Sequence, residues 1–142
     1  MAEYTYNSIQ EIAVNGSAIF NTNIPCNRGN IYHRNESGIF ILKANTSPNM
    51  CFARYQVVFN GNIAIPTGET VSPISMSLSL DGENILTSNA IVSPTVVDSY
   101  FNITSTAFID IPRGCCFNLG VRNTSTIPIN LQNANLVITR VA

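Results

Sequence analysis

A strict two-residue alternation between positions 74 and 80 constrains this chain to a β fold more than any other feature does. The alternating residues are, in order, Ile74, Ser75, Met76, Ser77, Leu78, Ser79 and Leu80. Because successive side chains of a strand point to opposite faces, this pattern predicts a strand with a buried apolar face and a solvent-exposed hydroxyl face. Asp81-Gly82 follows directly, which is a strong signal for a tight hairpin turn.

The same period recurs along the chain, and no segment shows a convincing helical period. The predicted strands cover residues 17–24, 29–34, 38–44, 51–60, 73–80, 83–88, 98–110, 115–123 and 134–141. The best helical candidate, residues 4–14, is diluted by polar residues and is assigned to a strand or arm. Short strands separated by proline and turn residues predict an all-β fold, an antiparallel two-sheet sandwich with the jelly roll as leading topology.

The length of 142 residues fits one domain, with residues 1–16 as a candidate N-terminal arm. The first residues, Met1 to Tyr4, lack the basic and apolar regions of a secretory signal, and no segment approaches the roughly 20 apolar residues of a membrane span. We therefore expect synthesis in the cytoplasm without a signal peptide, and no membrane partner.

Charged residues make up only 11% of the chain, with a net charge of −1, whereas soluble domains average about 25%. Nucleic-acid binding is not expected, because such proteins carry a basic patch. Weak repulsion between copies favours association, so the composition indicates self-assembly. The compositional bias of an AT-rich genome is an alternative explanation.

Apolar residues on both faces of the C-terminal strand predict an interface. Val137 and Val141 lie on the opposite face from Leu136 and Ile138. Since one face of a strand in an isolated sandwich is normally solvated, we expect copies of the chain to cover the second face. A similar two-faced region surrounds residues 100–111. The expected interface residues are Tyr100, Phe101, Phe108, Val137, Thr139 and Val141.

The four cysteines, Cys26, Cys51, Cys115 and Cys116, do not form the close pairs typical of zinc sites. Adjacent Cys115 and Cys116 should point to opposite faces of a strand, so no metal site is expected. Two interpretations stay open: free buried thiols, or a disulfide between Cys26 or Cys51 and one of the adjacent pair. A bond between the adjacent cysteines themselves is least favoured.

No set of residues predicts catalysis. His33 is the only histidine, and although Asp98 or Asp110 could orient it, no catalytic signature accompanies it. The Asp81–Asn84 loop is a candidate calcium loop, but its interpretation as a hairpin turn is stronger. We therefore expect no catalytic residues, no cofactor and a structural role for His33.

Three segments near the C-terminus carry a family resemblance: residues 111–114 (IPRG), 119–125 (LGVRNTS) and 133–140 (NANLVITR). They resemble the C-terminal jelly-roll domains of bacterial exosporium collagen-like proteins, which share the tumour-necrosis-factor/C1q-like architecture. The chain also resembles short structural proteins of Clostridia and their phages. The resemblance implies a non-enzymatic trimer with its closing strand near the threefold axis, although this chain lacks a Gly-x-y collagen stalk.

Three functions follow as hypotheses. The first is a virion subunit that decorates a phage capsid or forms a fibre head, with the major capsid protein or another particle protein as partner. The second is a spore- or cell-surface assembly protein that forms filaments through its cysteines. The third is a carbohydrate- or receptor-binding module that uses tyrosines for stacking. These tyrosines would be Tyr4, Tyr6, Tyr32 and Tyr100.

Overall fold

The computed structural model describes residues 2–24 and 30–142, and within them strands are the predominant secondary structure. One turn of 3-10 helix spans Leu86–Ser88. The strands are β1 (Ala2–Tyr6), β2 (Gln10–Ile12), β3 (Thr22–Ile24), β4 (Ile31–His33), β5 (Phe40–Lys43), β6 (Phe52–Ala64), β7 (Ile74–Leu80), β8 (Glu83–Asn84), β9 (Ala90–Val92), β10 (Phe101–Pro112), β11 (Cys116–Asn123) and β12 (Ile129–Arg140).

These strands form two antiparallel sheets. The first sheet has the order β10-β6-β12-β1-β3, with β2 also paired to β12. The second has the order β4-β5-β11-β7-β8, with β9 also paired to β7. Consecutive long strands alternate between the sheets, so the chain crosses repeatedly over one shared core. The predicted all-β, two-sheet sandwich is confirmed.

The core lies between the two sheets and is built from the inward-facing positions of the alternating strands. Tyr55 and Phe59 of β6, Phe40 of β5, Leu78 of β7 and Leu136 of β12 are fully buried. The Tyr55 hydroxyl donates a 2.5 Å hydrogen bond to the Lys43 carbonyl, which satisfies the polar end of this buried ring. Alternation alone therefore identifies the inner face of most strands.

The LGVRNTS segment acts as a structural clamp between the end of β11 and its neighbours. The Asn123 side chain is fully buried, and its Nδ2 donates to the carbonyls of Ile12, Ala13 and Ile127 at 3.0–3.2 Å. Its Oδ1 accepts a 2.8 Å bond from the Ser125 backbone N–H. The motif on which the family resemblance rests thus has a folding role.

The hydroxyl face predicted for β7 is not exposed, so this prediction is wrong. Ser75, Ser77 and Ser79 are 8%, 1% and 4% exposed. Arg122 lies opposite Ser77 on the same face, and its guanidinium reaches the carbonyls of Gly82 at 2.5 Å and Asn15 at 3.3 Å. The Ser75 hydroxyl is also hydrogen-bonded to the Thr124 hydroxyl at 2.6 Å. Local alternation could not reveal these neighbours from other parts of the chain.

The Asp81-Gly82 hairpin is confirmed. Both residues have positive φ angles, 50° and 86°, as a type I′ turn requires. Leu80 pairs with Glu83 across the turn. The hairpin interpretation of this loop, rather than the calcium interpretation, therefore matches its backbone.

Several strand boundaries differ from the prediction. The candidate arm at residues 1–16 includes β1, which lies inside the first sheet between β12 and β3. Strand β12 begins at Ile129 rather than at residue 134, because a bulge between Gln132 and Asn135 interrupts its alternation, with Asn133 at a φ of 56°. Strand β9 (Ala90–Val92) was not predicted, and residues 83–88 divide into β8 and the 3-10 turn.

Candidate assembly interface

The outward face of the first sheet is the surface that faces away from the core on β10, β6, β12 and β1. One row across it runs Thr106, Val58, Val137 and Glu3, because these positions pair directly in register. The adjacent row runs Phe108, Gln56 and Thr139. The residues of each row therefore share one face of the sheet.

Apolar side chains cluster at one end of this outward face. Phe108 is 64% exposed, Val141 47% and Phe52 37%. Val58 and Val137 are half-buried and pair with each other in the row next to Phe108. We call Phe52, Val58, Phe108, Val137 and Val141 the apolar patch. Single exposed apolar residues are common on protein surfaces, but a contiguous group is typical of interaction sites.

The charges beside the apolar patch are paired. Arg54 Nε and Nη2 donate to the two Asp110 carboxylate oxygens at 2.7 and 2.9 Å, and the guanidinium carbon lies 5.4 Å from the Phe52 ring centre. The hydrogen bonds from Arg54 hold the pKa of the Asp110 carboxyl below its usual value. Because the pair is formed within one chain, it adds little net charge to the patch.

The other end of the outward face is polar and uncharged. Asn102 Nδ2 donates to the Oδ1 atoms of Asn60 at 2.9 Å and Asn62 at 3.2 Å. The Thr104 hydroxyl donates to the same Asn60 oxygen at 3.3 Å. We call Asn60, Asn62, Asn102 and Thr104 the amide cluster. It offers hydrogen-bonding groups without the desolvation cost of charges.

Four of the six expected interface residues lie together on the outward face: Phe108, Val137, Thr139 and Val141. Tyr100 and Phe101 do not join them. Tyr100 precedes β10 and is half-buried. Phe101 pairs with the buried Ile63, on the inward-facing side of β10, and is exposed because it begins the strand.

Sequence reasoning missed two members of the apolar patch, Phe52 and Val58. Their signal was available, because the apolar residues Tyr55, Val57 and Phe59 alternate along the same strand. Even-numbered neighbours in β6 must then occupy the opposite face. What the alternation did not reveal is which outward positions lie beside Phe108 and Val137, since that depends on the pairing of β6 with β10 and β12.

The cysteines are not buried as expected. Cys51, Cys115 and Cys116 are exposed, free thiols, so the buried interpretation is wrong for these three, and no disulfide joins Cys51 to either of the adjacent cysteines. All three lie near the turn between β10 and β11. The Cys51 carbonyl accepts from the Arg113 N–H at 2.9 Å, and the Cys115 carbonyl accepts from the Ala44 N–H at 3.1 Å. Cys26 lies outside the described residues.

His33 has a structural setting. Its ring stacks on Phe40 with a centroid distance of 4.2 Å and an interplanar angle of 13°, and it meets the edge of Tyr4 at 4.9 Å. Nε2 lies 2.8 Å from the Ser37 carbonyl. Burial lowers the pKa of the imidazole, although the bond to Ser37 acts in the opposite direction.

Within residues 2–24 and 30–142, no group of three or more His, Cys, Asp or Glu side chains is arranged to hold a metal ion. Within the same ranges, no helix has the length and apolar character needed to cross a membrane.

Comparisons with known proteins identify the fold. No family model matches the sequence, and no curated protein matches it. The globular domain of zebrafish complement 1qA protein is similar in structure, with a TM-score of 0.68, 11% identity, and coverage of 99% of this chain and 97% of that one. The predicted jelly roll of the C1q type is therefore confirmed as a fold.

Two sugar-related structures are more distant. A sugar-binding protein, the EclA C-terminal domain, has a TM-score of 0.45, 14% identity, and coverage of 94% of this chain and 79% of that one. A xylan-binding domain from Paenibacillus barcinonensis has a TM-score of 0.39, 9% identity, and coverage of 99% and 94%. Similarity at this level adds nothing to the assignment of the site.

Proposed function

We propose that this chain is a non-enzymatic structural subunit that forms a homotrimer through the outward face of its first sheet. The observation that carries the proposal is the contiguous apolar patch, which includes Phe108 at 64% exposure. A second copy that covers this patch removes apolar surface from water, at about 25 cal/mol per Å². The trimeric number is the one implied by the resemblance to C1q-like domains.

The electrostatics of the outward face support association of identical copies. Identical surfaces repel when they carry unpaired charge of one sign. Here Arg54 and Asp110 neutralise each other within the chain. Glu3 keeps its negative charge, and its carboxylate accepts a 3.1 Å hydrogen bond from Asn135. The low charge of the whole sequence, 11%, favours association in the same way.

The amide cluster supplies the specificity that an apolar patch alone lacks. Buried amides in an interface fix the register of association, because a slipped arrangement leaves them without hydrogen-bond partners. The donors and acceptors of Asn60, Asn62 and Asn102 are available beside the apolar patch. We expect them to lie near the trimer axis together with β12.

For the biological setting, we propose the surface of a particle, most specifically as a capsid-decorating or fibre-head subunit of a phage. A compact jelly roll with little charge suits a subunit that packs on other proteins. The alternative setting is a spore or cell surface. Mass spectrometry of purified phage particles and purified spores from the source organism distinguishes the two settings, and absence of the chain from both contradicts either one.

Assembly is tested first by the mass of the reduced protein in solution. A trimer has three times the 15.4 kDa of the chain, about 46 kDa, in sedimentation velocity or light scattering. Measurement in the presence of a reducing agent keeps covalent association out of the result. A single 15 kDa species at micromolar concentration contradicts the proposal.

A further inference from the structure

We infer that the end of the sandwich that carries Cys51, Cys115 and Cys116 is a covalent coupling site, at which disulfides join copies of this chain that belong to different trimers. Free cysteine is among the residues most often buried in proteins. Three of the four cysteines of this chain are instead exposed thiols. The three exposed thiols lie at the same end of the sandwich, near the turn between β10 and β11.

Backbone hydrogen bonds bring the three cysteines onto one turn. The turn spans residues 112–116. The Cys115 N–H closes it by donating a hydrogen bond to the Pro112 carbonyl at 3.0 Å. Cys51 is held to the same turn by the Arg113 N–H at 2.9 Å. Cys116 then pairs with Lys43 at the start of β11. All three cysteines therefore lie at the same end of the sandwich.

The side of the sandwich on which Cys116 lies determines which copies it can join. Cys116 and Asn118 are exposed on β11, whereas the alternate residue Leu119 is buried. Cys116 therefore points outward from the second sheet, while the proposed trimer interface is on the first sheet. A disulfide at Cys116 joins one trimer to another, and this part of the inference rests on the proposed function.

Coupling within one chain does not account for these thiols. Cys115 and Cys116 are neighbours on a strand entrance, where successive side chains point to opposite faces. Cys51, Cys115 and Cys116 are all unpaired in the folded chain. The three thiols thus stay available to a partner of the same chemistry, which is a second copy.

The coupling reaction balances as thiol–disulfide exchange. A thiolate of one copy attacks a low-molecular-weight disulfide such as oxidised glutathione, and one glutathione thiolate leaves. A thiolate of the second copy then attacks the mixed disulfide and releases the second glutathione. Two protein thiols and one glutathione disulfide become one protein disulfide and two glutathione thiols.

The experiment oxidises the purified full-length chain with a glutathione redox buffer and separates the products on a non-reducing denaturing gel. The inference predicts covalent species of two or more chains that a reducing agent abolishes. It also predicts at least tenfold less of these species in the triple variant Cys51→Ser, Cys115→Ser, Cys116→Ser. The matched control Cys26→Ser should retain them.

Mapping of disulfide-linked peptides in a mixture of isotope-labelled and unlabelled chains separates coupling between copies from coupling within one chain. Peptides that pair labelled with unlabelled chains support the inference. It is overturned if linkage occurs only within chains, if the oxidised protein still sediments as a single trimer under native conditions, or if the triple variant couples as well as the wild type. A triple variant that still sediments as a trimer shows that its loss of coupling is not a loss of assembly.

Discussion

Val137 lies directly opposite Val58 in the register between β12 and β6, and both side chains point away from the core. The neighbours of Val137 on the same strand, Leu136 and Ile138, are fully buried. Strand β12 is thus apolar on both faces, as the alternation predicted. The inner face is buried within the fold, whereas Val137 on the outer face is half-buried.

We expect Leu136→Asp to prevent folding. The substitution places an unpaired carboxylate at a position with 0% exposure, and such a change costs several kcal/mol, comparable with the whole stability of a domain. Circular dichroism and thermal unfolding measure the effect. Leu136→Met is the matched control, and it should cost less than about 1.5 kcal/mol. A folded Leu136→Asp protein would contradict the placement of β12.

Asn123→Ala should destabilise the monomer by about 3 kcal/mol, because it removes hydrogen bonds to three carbonyls and to the Ser125 N–H. Urea unfolding followed by fluorescence or circular dichroism gives the difference. Asn118→Ala is the control, since Asn118 is an exposed residue of the same strand and should change stability by no more than about 0.5 kcal/mol. If the two substitutions changed the free energy of unfolding equally, the stabilising role of Asn123 would be contradicted.

Stability should fall as the pH is lowered through about 6.5, the usual pKa of histidine. Burial lowers the pKa of His33 in the folded chain, so the unfolded chain binds more protons in the window between the two pKa values, and protonation favours unfolding there. The midpoint of urea unfolding at pH 7.5 and pH 5.5 measures this. His33→Phe keeps an aromatic ring against Phe40 and should reduce the difference between the two urea midpoints. If that difference were unchanged, the pH dependence would come from groups other than His33.

Much of the sandwich could be predicted from the sequence because its strands alternate strictly. Residues 74–80, 116–123 and 136–140 reveal their inner faces from local pattern alone. The pattern fails where a distant group changes the environment. Ser77 and Ser79 are buried although the alternation predicted exposure. Arg122, opposite Ser77, bonds to Gly82 and Asn15, and no local rule connects these positions.

The candidate interface was predictable only in part, for a related reason. The outward positions of β12 were visible from Val137 and Val141, but their neighbours depend on sheet order. The structure adds Phe52 and Val58 through the pairing of β6 with β12 and β10, and it separates Tyr100 and Phe101. Exposure of the three thiols likewise depends on how the turn at residues 112–116 meets the rest of the fold.

The most direct test of the account compares two aspartate substitutions by sedimentation velocity of the reduced protein. Val137→Asp puts a charge into the outward face of the first sheet, whereas Ile41→Asp makes the same kind of change at a half-buried outward position of the second sheet. We predict that the wild type and Ile41→Asp sediment as trimers. Val137→Asp should be a folded monomer whose association is weakened at least tenfold, which corresponds to about 1.4 kcal/mol or more. A Val137→Asp protein that stays fully trimeric, or an equal loss of association in both variants, would contradict the placement of the interface on the first sheet.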